Sequence, residues 1–120
     1  MALLTIQTIV EAGLTHTFES AAGGGDTFPN ANGDVMFYIK NGGGGSINVT
    51  FTVQQTTVKK PGFGDVTAAD LVVAVGAGVD MLIGSFPTLK YNNSSSQVVV
   101  SYSGVTSVTV RTIRMPRDYR

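Results

Sequence analysis

A chain of 120 residues, 42% hydrophobic and formally neutral, is sized for one globular domain that buries its own core. It has no cysteine, which excludes disulfide scaffolds, thiolate zinc sites and cysteine nucleophiles. Only 13% of its residues are charged, so the surface is left to Ser, Thr, Asn, Gln and Gly and repels its own copies weakly, which suits a member of an assembly as well as a monomer.

Residues 1–22 read as a candidate N-terminal arm. The apolar run from Leu3 to Val10 is interrupted by Thr5, Gln7 and Thr8 and has no basic segment before it, so no secretion signal is expected. The Asn-x-Ser/Thr matches at Asn48, Asn92 and Asn93 are then expected to be idle. As a separated apolar stretch, this run is a candidate to add a strand to a sheet edge of a neighbouring subunit. Residues 7–14 carry one of two weak helical signals; the other is Thr67–Asp70.

Next comes "GGGDTFPNANGD", Gly23 to Asp34, which is loop chemistry. Asp26, Asn30, Asn32 and Asp34 offer oxygen ligands, but the one-three-five spacing and the distal bidentate glutamate of a calcium loop are missing. Asn and Asp capping local backbone groups is the favoured reading. With Asp26, Phe28 and Asp34 on a chain shaped by glycine and proline, this loop is expected to be a contact surface.

Val35, Phe37 and Ile39 alternate with Met36, Tyr38 and Lys40. Ile47, Val49, Phe51 and Val53 alternate with Asn48, Thr50, Thr52 and Gln54. Both runs predict half-buried strands, and "NGGGGS" between them predicts a hairpin. The glycines do not form a phosphate loop, since no lysine follows them and no helix begins there. "DLVVAV" and "DMLIGSF" around "GAG" predict a second hairpin, and "QVVVSYS" and "VTSVTVRTIRM" around Gly104 a third. Val108 and Val110 share one parity and Ile113 and Met115 the other, which predicts a bulge or a strand end near Arg111. "KKPGFGD" and "FPTLKYNNSSS" are predicted loops. The fold class is all-β: a single-domain antiparallel β-sandwich or barrel-like fold over residues 1–120 with an extended N-terminal segment and a basic tail at 116–120.

No catalytic, metal or cofactor site is expected. His16 is the only histidine and "HTFES" brings candidates together in sequence alone. Asp65, Asp70 and Asp80 could pair as glycosidase carboxylates, as acidic residues on any surface could. Before Lys40 the charged residues are Glu11, Glu19, Asp26 and Asp34, whereas Arg111, Arg114, Arg117 and Arg120 crowd the C-terminus. Opposite ends of opposite sign suit head-to-tail or shell contacts; a frayed basic tail reads the same residues blandly. With zero net charge, nucleic acid is not an expected partner. No membrane is expected either, since no run approaches the roughly 20 apolar residues of a spanning helix. Docking on protein through Arg111, Arg114, Arg117 and Tyr119 is expected, arginine and tyrosine being favoured interface anchors. Phe28, Phe63, Phe86 and Tyr91 are either further anchors or plugs of the sandwich core.

Taken in order, "GGGDTFPN", "VMFYIKNGGGG", "GAGVDMLIGSFP" and "YN" followed by "QVVVSYSGVTSVTVRTIR" resemble small head-decoration, or capsid cement, proteins of tailed bacteriophages. The resemblance spans Gly23 to Arg114 and departs at "KKPGFGDVTAADL", Lys59 to Leu71. It implies a non-enzymatic virion protein without cofactors. Such a protein is made in the bacterial cytoplasm, binds the major capsid protein on the outside of the assembled shell, and is commonly a trimer. Two other readings stand beside it: a tail, neck or fibre-associated structural protein, and a carbohydrate-binding sandwich in which Tyr38, Tyr91 and Tyr102 stack on sugar rings.

Overall fold

The structure is a computed structural model that describes residues 2–54, 57–60, 62, 64–67, 69–84 and 86–114; within 57–60 and 65–67 it describes the backbone alone. The strands are Ala2–Leu3 (β1), Ile6–Thr8 (β2), Glu19–Ser20 (β3), Asp26–Pro29 (β4), Val35–Asn41 (β5), Ile47–Phe51 (β6), Thr57–Lys60 (β7), Gly64–Thr67 (β8), Leu71–Val75 (β9), Asp80–Ile83 (β10), Gln97–Tyr102 (β11) and Val108–Arg114 (β12). One helical turn, Thr88–Tyr91 (α1), lies between β10 and β11. The expected all-β sandwich is what forms: one sheet in the order β1-β4-β11-β6-β9 faces a second in the order β10-β5-β12-β2, with β3 also on β12. The shortest dimension, 22 Å, is that of two sheets about 10 Å apart with their outer side chains.

The three predicted hairpins do not form. β5 and β6 lie in different sheets, as do β9 and β10, and β11 and β12, so each glycine-bearing connector is an arch that carries the chain across the sandwich. Phe37 and Phe51, from β5 and β6, meet edge to face across the core at 5.3 Å instead of lying side by side in one ladder. Alternation sends every second residue inward in either arrangement, so the pattern is satisfied by both. The hairpin that does form, β7 with β8, lies in the predicted "KKPGFGD" loop and makes its own two-stranded sheet. The weak helical signals fail as well: Ile6–Thr8 is strand and Thr67 ends β8, while the turn of helix falls in "FPTLKY".

Three aromatic positions read as either anchors or plugs prove to be core. Phe28, Phe37, Phe51 and Phe86 are fully buried and form a closed ring of contacts, with centroids 4.7 to 5.7 Å apart. Tyr91 closes the end against Phe86 at 5.5 Å. Phe63 lies outside the described residues. Asn30 pins this end by donating from Nδ2 to the carbonyl of Phe86 and to Asn92 Oδ1, both at 2.9 Å, while Asn92 donates back to the Asn30 carbonyl at 2.7 Å.

No bulge interrupts β12. Its register on β5 runs unbroken from Val108↔Asn41 to Arg114↔Val35, with Arg111 opposite Tyr38. The change of parity has another cause, for both faces of β12 are covered: Val108, Val110 and Thr112 face the core, and Arg111 and Ile113 lie beneath side chains on the outside.

The N-terminal run is part of the sandwich rather than a free arm. β1 pairs parallel with β4 in the first sheet and β2 parallel with β12 in the second, and Leu4, between them, is buried at the seam. Residues 2–8 thus close one side of the sandwich. The opposite side is bounded by β9 and β10, each an edge strand, where Leu71, Val72, Val79 and Leu82 are exposed.

Candidate docking face

The two outer faces differ in chemistry. Across the first sheet the outward rows are Val72, Thr50 and Ser101, then Ala74 beside Asn48, then Leu3, Thr27 and Val99. Thr50, Ser101, Asn48 and Thr27 are hydroxyl or amide side chains and Val72, Ala74, Leu3 and Val99 are aliphatic, with Leu3 and Val72 exposed; none of the eight is charged or aromatic. Across the second sheet the register sets Leu82 beside Tyr38 beside Arg111, flanked on one side by Asp80, Lys40 and Thr109 and on the other by Met36, Ile113 and Gln7. Large apolar, aromatic and cationic groups on an outward face are those that anchor protein interfaces.

Arg111 occupies the centre of that face. Being on the middle strand, it is flanked by side chains from both neighbours, and the loop before β3 brings Phe18 over it. Its guanidinium carbon stands 3.9 Å from the Phe18 ring centroid and 4.2 Å from that of Tyr38, the two rings meeting edge to face at 5.5 Å. The Tyr38 hydroxyl donates to Asp80 Oδ2 at 3.2 Å, which fixes the ring at the rim of the notch. Only 5% of Arg111 is exposed, and Nε is buried without a hydrogen-bond partner. Among the described residues the guanidinium forms no ion pair.

Burial lowers the Arg111 pKa from its ordinary value, and desolvation together with the hydrogen bond to Asp80 and its charge raises the Tyr38 phenol. Only Nε is sealed without a partner, so the desolvation is partial, and stacking on the two rings offsets it by about 0.5–2 kcal/mol. Arg111 remains a cation without an anionic partner among the described residues.

The other predicted contact residues do not join it. Asp26 is a correction: it opens strand β4 instead of lying in a surface loop, is fully buried, and accepts from the Tyr102 hydroxyl at 2.7 Å and the Ala22 amide at 3.3 Å. Its second oxygen, Oδ1, has no partner. Burial, then the bond to Asp26, pushes the Tyr102 phenol far above its usual range. Phe28 is the second correction, a core ring rather than a contact. The four residues Asp26–Pro29 pair with β11 on one side and are too short to show alternation against their Gly, Pro and Asn surroundings.

Asp34 is half-buried at the turn before β5. Arg114 ends β12, where its Nη2 donates to Thr8 Oγ1 at 3.2 Å. Arg117 and Tyr119 lie outside the described residues. Asp26 opens β4 and Asn30 follows its last residue, each with its own partners, so these two oxygen ligands do not converge.

Sequence reasoning missed Phe18 and Leu82 and offered Asp80 only as a carboxylate to pair with Asp65 or Asp70. The signal available for the face was the far side of β5, where Met36 and Tyr38 stand at outward positions otherwise expected to be polar. Phe18 has no periodic neighbours and could not have been placed. Of the three tyrosines offered as sugar platforms, Tyr91 is buried and Tyr102 turns its hydroxyl inward to Asp26. His16 is exposed in the stretch before β3, and among the described residues no three His, Asp or Glu side chains gather as metal ligands. No described helix is long and apolar enough to cross a membrane. In comparisons with known proteins, no protein-family model, no curated protein and no solved structure matches this chain.

Proposed function

We propose that this is a non-enzymatic structural protein of a tailed-phage virion, one that binds the major capsid protein on the outside of the assembled shell and stabilises it. The resemblance over Gly23 to Arg114 supplies the class. The observation that carries the reading is the asymmetry of the sandwich: an outer face of Thr, Ser, Asn and aliphatic side chains without charge or rings on one sheet, and a face of Leu82, Tyr38, Phe18 and the sheltered Arg111 on the other. Charge and aromatic rings, the groups that anchor interfaces, are gathered on the second sheet.

A shell repeats its surface many times, so a modest contact at each copy adds up, and a protein that binds only the assembled form stabilises it by mass action. A trimer is the favoured oligomer. The test is electron microscopy of the particle that contains the protein. Density at regular positions on the outer head lattice is expected, with the second sheet toward the shell. Rings at the neck or tail, with none on the head, would replace this reading by the tail, neck or fibre one.

A further inference from the structure

We infer that Arg111 is the socket for a carboxylate presented by an acidic segment of the partner protein, which docks on the outer face of the second sheet. The inference rests on reading that face as the docking face and adds the chemistry of what it receives.

Three observations carry it. The cation lacks a counterion: Nε is sealed and unpartnered, and no described carboxylate forms an ion pair with it. Asp80, the one acidic residue in the surrounding rows, is engaged by the Tyr38 hydroxyl. The shape of the site is the second observation. Phe18 and Tyr38 lie over the guanidinium, so approach is restricted to the terminal amino groups, which alone among its nitrogens are not both buried and unpartnered. An end-on pair of N–H donors matches the two oxygens of a carboxylate, a geometry that lysine cannot supply.

The third is charge. Lys40 and Arg111 outnumber Asp80 in those rows, so the face attracts an acidic segment and discriminates against a basic one. The apolar groups around the socket, Leu82 and Phe18, are both exposed and would exclude water from the pair once docked.

The test uses the full chain and two capped peptides that differ by one charge, Ac-Gly-Asp-Gly-NH2 and Ac-Gly-Asn-Gly-NH2, with sodium chloride and inorganic phosphate as controls. The readout is the 15N and 1H shifts of the Arg111 guanidinium. A saturable shift at millimolar Asp peptide is expected, with at least tenfold weaker response to the Asn peptide and to chloride. In Arg111→Met, which keeps the apolar stem and removes the charge, the Asp peptide should produce no saturable change elsewhere on the face. Arg111→Lys should respond at least fivefold more weakly than wild type.

No saturable shift in the wild type would overturn the inference, as would equal responses to both peptides. A response to phosphate at lower concentration than to the Asp peptide would overturn it in favour of a phosphate site. Should Arg111→Met fail to fold, the wild-type titrations still decide. Particle binding separates this inference from the function beneath it: wild type on shells with Arg111→Met bound equally well sinks the socket alone. Wild type absent from shells, with the peptide response intact, sinks the capsid reading alone.

Discussion

Asn41 ends β5 inside the protein and ties two arches together. Its Nδ2 lies 2.9 Å from the carbonyl of Gly45 and 3.2 Å from those of Val75 and Gly76, while Oδ1 accepts from the Gly43 amide at 3.0 Å. The four glycines after it are therefore not equivalent. A Cβ on Gly43 would meet the Thr106 carbonyl at 2.9 Å and Asn41 Oδ1 at 3.3 Å, whereas Cβ atoms on Gly44 and Gly45 would stand in open space. Gly43→Ala is expected to cost about 1–3 kcal/mol through overpacking against backbone. Gly44→Ala should be neutral or add about 0.5 kcal/mol by restricting the unfolded chain. Urea midpoints of the two variants check both, and equal midpoints would mean that the arch does not depend on close approach.

Tyr102 makes a second prediction at this scale. Because its phenol is raised in the folded protein, the stability it contributes is full below pH 10, the unfolded value, and is lost as pH rises above it. At pH 7 Tyr102→Phe should cost about 1–3 kcal/mol, since Asp26 keeps only the Ala22 amide. Between pH 10 and 11.5 wild type should lose about 1.6 kcal/mol relative to the variant, the slope rising toward about 1.4 kcal/mol per pH unit, because only the wild type has this phenol to ionise. Denaturation of both proteins across that range measures it; a gap independent of pH would show that the hydroxyl is not sheltered.

Elements were legible to different degrees. The strands β5 and β6 were visible because alternation over five or more residues survives without knowing the partner, and β9 to β12 because apolar runs, mostly β-branched, are bounded by turn residues. Which strands pair was not visible, because a hairpin and an arch impose the same inward pattern and the glycines serve either. β4 was lost for another reason: in "DTFP" a single buried phenylalanine cannot establish a period, and the flanking Gly and Asn argued for loop. The docking face was legible in the outward side of β5 and in Arg111; Leu82 and Asp80 of β10, Gln7 of β2 and Phe18 before β3 are brought alongside by strand pairing and loop path.

The N-terminal run was visible as apolar and misread as free. β1 and β2 are two and three residues long, too short to hold alone, and Leu4 between them supplies the burial. Removing residues 2–8 is expected to lower the stability of the isolated protein by at least 2 kcal/mol, the cost of emptying a buried leucine site alone. Thermal unfolding of the truncated chain reads it. An unchanged midpoint would restore the free arm and its role in reaching a neighbouring subunit.

At the scale of the whole molecule, few steps along the chain stay in one sheet. The path goes from β1 in the first sheet to β2 and β3 in the second, back to β4, over to β5, back to β6 and β9, and then alternates through β10, β11 and β12. Contacts are therefore overwhelmingly between distant residues, the topology of domains that fold in milliseconds to seconds. β12 holds the second sheet together, with β5 along one edge and β2 and β3 along the other, yet it is the last described strand in the chain. β11, which joins β4 to β6 in the first sheet, is made just before it. Until β11 and β12 have been synthesised, neither sheet has its central strand. The Val-rich and Phe-rich segments made earlier wait unpaired through that interval, and the hazard lies there, when copies can find each other before β12 finds β5.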